Sequence, residues 1–266
     1  MSTPGVHEEV VPVGGDRVDM RVQVRGEGPP LVYLHHAGGI VWDPFLEELA
    51  ETRTIYAPCV PGTVADESEQ VDGPRDLWEL VLMLEECLQA LDLEGTDLLG
   101  AGFGGMLACE LQASFPGKFG ALVALDPLGL WRESLPTTYW TKTRPTQLGT
   151  LLFADPSKVP AHRWLTQDGY HESMPDALAT MTRPMSIVER FVPRDPERGL
   201  ARRLHRIIAP TLVVWGEDDA LVSPEYAGEF ARRVRHAQVE ILPRCGHVPQ
   251  VERPEETLAL VQDVLR

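Results

Sequence analysis

Short apolar runs that end at Gly or Pro alternate along this chain with stretches of helical periodicity, and that alternation constrains its fold more than any other feature. Leu31-Val32-Tyr33-Leu34 is continuously apolar, as a strand buried on both faces must be. Val18 to Val24 alternates apolar with polar residues, the pattern of a half-buried strand. Thr54 to Ala57, Thr96 to Leu99, Ala121 to Leu125, Thr211 to Trp215 and Gln238 to Leu242 read as further strands. Helices are expected over Trp42 to Ala50, Met106 to Ser114, after Pro224, and from Pro254 to Leu265. The clearest helix carries Leu77, Leu80, Val81, Leu84, Leu88 and Leu91 on one face, with Asp76 placed to cap it. Strands alternating with helices predict an α/β fold: a mostly parallel central sheet with helices on both faces.

The alternation breaks from Pro127 to about His205, a stretch rich in Pro, Trp and Met. The expected organisation is therefore one core, residues 1–126 and 206–266, with an insertion over 127–205. A chain of 266 residues is long enough for a single core of this kind. Thr63 to Pro74 is polar and acidic and is expected to be a surface loop.

Charge and cysteine usage narrow the function. With 24 Lys+Arg against 40 Asp+Glu, the net charge is -16, which repels phosphate backbones and anionic lipid. Neither nucleic acid nor a membrane is an expected partner. The start, Met1 to Val13, lacks the basic and apolar regions of a secretory signal, and no run reaches the ~18 apolar residues of a membrane span. A cytoplasmic protein is expected. Cys59, Cys87, Cys109 and Cys245 lie far apart, without the spacing of a zinc site or a disulfide framework.

Chemistry concentrates at the ends of the predicted strands. The strand at Thr96 to Leu99 runs into Gly100-Ala101-Gly102-Phe103-Gly104-Gly105 and then a helix. Leu31 to Leu34 leads into His35-His36-Ala37-Gly38-Gly39. Thr211 to Trp215 leads into Gly216-Glu217-Asp218-Asp219, and Gly246-His247 is followed by Glu252 and Pro254. In this order and spacing the chain resembles the α/β-hydrolase fold family. Its nucleophile elbow, G-x-S-x-G, corresponds to Gly100 to Gly104. The resemblance spans nearly the whole sequence and implies an α/β-hydrolase fold in which the insertion is a helical cap.

The same resemblance implies a triad histidine at His247 and a triad acid at Asp219, with Asp218 the near alternative and Asp126 a reserve acid. It implies an oxyanion hole from the backbone amides of Ala37 and Phe103. His35 would steady the loop. His36 stands where the family commonly has glycine and is a possible acid–base group, or else a solvent-facing loop residue. At the nucleophile position the chain has Gly102, which has no group that can attack. Loss of a triad nucleophile costs roughly 10⁶ in turnover, so covalent ester hydrolysis is expected to be absent or very slow.

No other residue replaces it readily. Ser114 lies twelve residues on, roughly 18 Å along a helix. Cys109 is expected to pack in that helix, and Cys59 in its loop; Cys245, near His247, is the one thiol worth testing. Three readings follow from the resemblance. One is an enzyme using His247 and Asp219 as a non-covalent general base, the mode of cofactor-free dioxygenases and hydroxynitrile lyases in this fold. The second is a ligand-binding pseudoenzyme. The third is a Ser→Gly knock-out of an ester, lactone or C–C-bond hydrolase. The first predicts that Gly102→Ala is mild.

Trp131, Tyr139, Trp140, Phe153, Trp164, Tyr170, Phe191, Met174, Met181 and Met185 in the insertion suit a small apolar or aromatic organic molecule, or else simply bury the insertion. No cofactor and no metal are expected. His35, His36 and His247 lack accompanying carboxylate or thiolate spacing. Gly100-x-Gly102-x-x-Gly105 matches a dinucleotide-binding string formally, but the other landmarks favour the hydrolase.

Overall fold

The computed structural model describes residues 5–64, 73–135, 137–138, 140–158, 165–166, 169–170, 174–192 and 199–265. Eight strands form the main sheet: β1 (His7–Val13), β2 (Val18–Arg25), β3 (Pro30–Leu34), β4 (Thr54–Pro58), β5 (Asp97–Ala101), β6 (Leu122–Leu125), β9 (Thr211–Gly216) and β10 (Ala237–Leu242). Their order across the sheet is β1-β2-β4-β3-β5-β6-β9-β10. From β4 to β10 every neighbouring pair is parallel, while β1 and β2 are antiparallel additions at one edge. The chain thus has the α/β-hydrolase fold that its sequence pattern implies.

Burial follows the sequence pattern. β3, β5, β6 and β9 are buried almost throughout, because helices cover both sheet faces. β2 alternates buried with less buried residues. One apolar cluster packs α2 (Leu77–Ala90) and α3 (Phe103–Ser114) on one face; a second packs α1 (Pro44–Ala50) and the last helix, Pro254–Val264, on the other. α2 buries Leu80, Val81, Leu84 and Leu88, and Asp76 caps it by accepting the Glu79 N–H at 2.8 Å.

Several boundaries differ from expectation. α1 begins at Pro44, since Asp43 caps it and Trp42 instead turns its Nε1–H to Gln23 Oε1 at 2.7 Å. α3 begins at Phe103, three residues before the expected start, because the glycines after the elbow are already helical. β1 is an addition to the expected strands: His7–Val13 is an edge strand that buries only Val11 and Val13, with charged residues in its first half. Thr63 is buried and donates its Oγ1–H to Val60 O at 2.6 Å, so the expected surface loop starts with an anchored residue. Residues 65–72 of that loop lie outside the described residues.

Between β6 and β9 the chain forms α4 (Pro145–Leu152), a two-stranded hairpin of β7 (Leu165–Thr166) and β8 (Gly169–Tyr170), and α5 (Met174–Glu189). Trp140, Phe153, Met185 and Phe191 are buried in the main cluster, so their first task is packing. Trp131 is half-buried; Tyr139 and Trp164 lie outside the described residues. A half-buried ion pair, Arg203 to Glu110 of α3, ties the segment before β9 to the core. No helix among the described residues is long and apolar enough to cross a membrane.

Candidate active site

Parallel strands deliver their following loops to one edge of the sheet, which is where α/β folds bind ligands. β3, β5, β6, β9 and β10 run in the same direction, and after them come His35-His36-Ala37, Gly102, Asp126, Asp219 and His247.

The elbow is a strained turn from β5 into α3. Gly102 has φ 54 and ψ -108, in the left-handed half of backbone space that side chains disfavour. Its N–H donates to Leu125 O at 2.8 Å, and its own carbonyl accepts from Leu128 N–H at 3.0 Å and Met106 N–H at 3.1 Å. Gly100 and Gly104 touch: a Cβ on Gly100 would overlap the Gly104 carbonyl, and one on Gly104 would overlap Leu34 O. That backbone packing explains the flanking glycines without any reference to chemistry.

A β-carbon at Gly102 would stand 3.1 Å from His247 Nε2 and 3.9 Å from the His36 β-carbon. The His247 ring is buried, and its Nδ1 lies 2.8 Å from Asp219 Oδ2. A carboxylate only accepts, so Nδ1 carries the proton and Nε2 presents its lone pair toward Gly102. Asp219 is held by three further donors: Trp215 Nε1–H at 3.1 Å on Oδ2, and the Leu221 and Val222 amides at 2.9 Å each on Oδ1. Asp218 is exposed and makes no bond to the imidazole; its N–H donates to Cys245 O. Of the two candidates in that turn, the structure brings Asp219 to His247.

The histidine loop is braced by Glu252. Its carboxylate accepts the Gly246 N–H at 2.6 Å and the Ala154 N–H at 2.9 Å, and His247 N–H donates to Leu152 O at 2.8 Å. α4 and the residue after its cap are therefore fastened directly to the loop that bears His247. Neither the Trp215 donor nor this brace was read from the sequence; a Trp closing a buried strand two residues before an acidic turn was the available signal for the first.

The two adjacent histidines differ sharply. His35 is buried; its Nε2 accepts Val60 N–H at 3.1 Å, so its Nδ1–H donates to His36 O at 2.7 Å. Burial lowers its pKa to about 4. Both nitrogens are occupied, which removes it from metal or proton chemistry and leaves it steadying the loop. His36 is half-buried. Its Nδ1 accepts Gly38 N–H at 2.9 Å, which puts its ring proton on Nε2. Burial first, then His35 and His247, push its pKa down to about 3. It is a neutral donor beside the elbow. Met181 of α5 packs on Gly38 in the same loop.

Phe103 opens α3, where amide donors lack intrahelical acceptors, and Ala37 follows the adjacent strand β3. Both are delivered to the elbow's edge of the sheet. Cys245 is buried, its Sγ sits 3.6 Å from Gly246 O, and burial raises its pKa, as it does for Cys109. Neither thiol is a replacement nucleophile. Cys59 is buried as well. Asp126, the reserve acid, accepts Gly216 N–H at 2.9 Å and is fully buried, while His247 Nδ1 is bonded to Asp219. Among the described residues, Asp126, Asp219 and His247 form the one group whose potential ligand atoms all fall within 4.8 Å of each other. The hydrogen bonds of Asp219 and His247 already use the atoms a metal would need.

Comparison with known proteins agrees with the fold. Residues 31–260 match the model of the alpha/beta hydrolase family. The 2-hydroxymuconate semialdehyde hydrolase of Pseudomonas sp. (strain CF600) is 27% identical, over 99% of this chain and 95% of its own. The 2-hydroxy-6-oxo-6-phenylhexa-2,4-dienoate hydrolase of Burkholderia cepacia is 25% identical, over 90% of this chain and 88% of its own. Among solved structures, a hydrolase from Pseudomonas aeruginosa PA01 superposes with a TM-score of 0.76 at 18% identity, covering 97% of this chain and 98% of that one.

Proposed function

The chain belongs to the alpha/beta hydrolase family, and we propose that it cleaves a carbonyl-activated C–C or ester bond of a small apolar or aromatic molecule without a covalent intermediate. His247 is the base and Asp219 its orienting acid. The observation that carries this reading is the placement of His247 Nε2, 3.1 Å from where a Gly102 β-carbon would stand, on a ring anchored by Asp219. The lone pair faces the space from which a serine would have attacked, and a water there is within its reach.

The step balances with water alone. His247 Nε2 takes a proton from water as the hydroxide oxygen bonds to the carbonyl carbon. The carbonyl oxygen becomes an oxyanion that the Phe103 and Ala37 amides stabilise. His36 Nε2–H is a third donor on the same side. The intermediate expels an alkoxide or a carbanion, which takes the proton back from His247, giving an acid and a protonated leaving group. Relatives whose names specify hydroxy-oxo-dienoate hydrolysis support the C–C arm.

A second reading has its own observation. The elbow at Gly102 keeps φ 54, the turn a serine would need, which suits a hydrolase disarmed by Ser→Gly and left as a ligand binder. One experiment separates them: turnover of short and aromatic p-nitrophenyl esters, and of 2-hydroxy-6-oxo-6-phenylhexa-2,4-dienoate, by this protein, His247→Ala and Gly102→Ser. Turnover lost in His247→Ala, with no acyl adduct by intact mass, is the expected result. Activity confined to Gly102→Ser would replace this reading with the disarmed one.

A further inference from the structure

Asp126 ends β6 with φ 42, positive for a residue that is not glycine, and its side chain is fully buried. Oδ1 accepts the Gly216 N–H at 2.9 Å. Oδ2 has no hydrogen-bond partner among the described residues. A buried carboxylate oxygen left without a donor is strongly disfavoured as an anion. What lies beside it is a second carboxyl: oxygens of Asp126 and Asp219 and a ring nitrogen of His247 fall within 4.8 Å of each other. Asp219 already accepts from Trp215 and His247 on Oδ2 and from Leu221 and Val222 on Oδ1, so the proton of the pair belongs on Asp126; the Trp215 N–H is shared with Val222 O at 3.1 Å, which leaves Asp219 room for one more donor. Two adjacent buried carboxyls cannot both be ionised.

We propose that Asp126 is a neutral carboxylic acid in the folded protein and donates its Oδ2 proton to Asp219. The acid that orients His247 then has a fifth donor. The charge of the Asp126–Asp219 pair stays at one, and Asp219 is tied through Asp126 and the Gly216 amide to the ends of β6 and β9. The surroundings of Asp126 agree with this: burial first, then the neighbouring Asp219 and Glu252, raise its pKa well above the usual value. The Gly216 amide alone opposes them. Asp126 is thus a positioning residue for His247. That role rests on the proposed function; its protonation does not.

The test of protonation needs no substrate. The folded protein holds a proton that an unfolded, ordinary aspartate gives up, so unfolding releases one proton above the usual Asp range. The folding equilibrium constant should then fall tenfold more per pH unit in the wild type than in Asp126→Asn, measured by denaturant titration from pH 5 upward. The histidines titrate in both proteins and cancel in the difference. Asparagine keeps both bonds, its Oδ1 on Gly216 and its N–H on Asp219. A second readout uses the wild type alone: infrared spectra with carboxyl-labelled aspartate should show a protonated carboxylic C=O band at pH 7 that vanishes on unfolding. Parallel pH slopes, or no such band, overturn the proposal. For positioning, Asp126→Asn should keep turnover while Asp126→Ala loses about tenfold or more in kcat at little change in KM. Equal losses in both variants overturn the positioning role. Absence of turnover in every protein defeats the proposed function and leaves the proton linkage standing.

Discussion

His247 leans into the volume that a side chain at Gly102 would occupy, with Nε2 3.1 Å from the point where its β-carbon would be. That distance is shorter than ordinary van der Waals contact, so any substitution at Gly102 displaces the imidazole or is displaced by it. The expectation that Gly102→Ala is mild does not survive this geometry. Alanine also inherits φ 54, a backbone region costing about 1–3 kcal/mol for a residue with a β-carbon. We expect Gly102→Ala to lower stability by about that amount, read by denaturant unfolding. Turnover should fall as well, by less than the roughly 10²-fold that a full ångström of misplacement costs, because the ring has to give by only a few tenths of an ångström. An alanine protein with wild-type kinetics would show that His247 does not work at this position.

Gly102→Ser carries the same backbone cost and adds a hydroxyl beside Nε2. Once the ring yields by a few tenths of an ångström, His247 can take the serine proton. Burst kinetics and an acyl adduct on p-nitrophenyl esters are expected, neither of which the unmodified protein can give. The oxyanion donors are backbone amides and survive the exchange, so the rise in ester turnover should be at least about 100-fold. A folded serine variant with no burst would mean that the Ala37 and Phe103 amides do not converge on the carbonyl.

Much of this site was legible because its chemistry sits at strand ends, and the strands announce themselves as apolar runs closed by glycine. The resemblance to α/β-hydrolases, carried by Gly100 to Gly104, Gly216 to Asp219 and Gly246-His247, is what pointed to Gly102, Asp219 and His247. What could not be read is long-range pairing between segments with no pattern of their own. The Glu252 brace joins residues 98 apart in sequence to Ala154 and only six apart to Gly246. The state of Asp126 depends on a neighbour from another strand. β1 was missed because an exposed edge strand needs no continuous apolar run, and the insertion's aromatics gave no sign of which would be core and which would face a ligand.

Asp219→Asn should be severe for two reasons. The amide group must meet either the His247 Nδ1–H or the Leu221 and Val222 amides with donors instead of an acceptor. One unsatisfied buried donor costs about 1–3 kcal/mol. If the ring flips its tautomer to compensate, Nε2 gains a proton and loses its lone pair, and a loss near 10⁴ in kcat is the precedent for that change in a serine protease triad. Steady-state kinetics beside a thermal melt distinguishes the two: a melt shift without a kinetic loss would remove Asp219 from the mechanism.

Glu252→Ala strips acceptors from two amides, Gly246 and Ala154, that lie on opposite sides of the contact between the insertion and the histidine loop. The expected cost is at most about 1–3 kcal/mol, for the part-buried Gly246 amide, since the Ala154 amide is exposed to water. Water entering the gap would reduce it. The functional effect should appear as a lower kcat, since the loop that aims His247 loses its tie to α4, and amide exchange should rise at Gly246 and Ala154 ahead of global unfolding. Unchanged exchange at those two amides would show that the brace is not what holds the loop.

His35 sets an acid limit on the fold. Its ring is buried and neutral with a pKa near 4, because burial disfavours the imidazolium more than the His36 carbonyl favours it. In the unfolded chain the same ring protonates near 6.5. Between those two values the unfolded state binds more protons than the native state, so stability rises with pH across this window and is lost as pH falls from about 6.5 toward 4. The slope expected from this one group is about 1.4 kcal/mol per pH unit. His35→Gln, which can still accept the Val60 N–H and donate to His36 O, should flatten the dependence over pH 4 to 6.5 while lowering stability at pH 7 through imperfect fit. Denaturant midpoints of the two proteins across that range are the measurement, and a wild-type curve no steeper than that of His35→Gln would mean that the ring takes up its proton without leaving the folded loop.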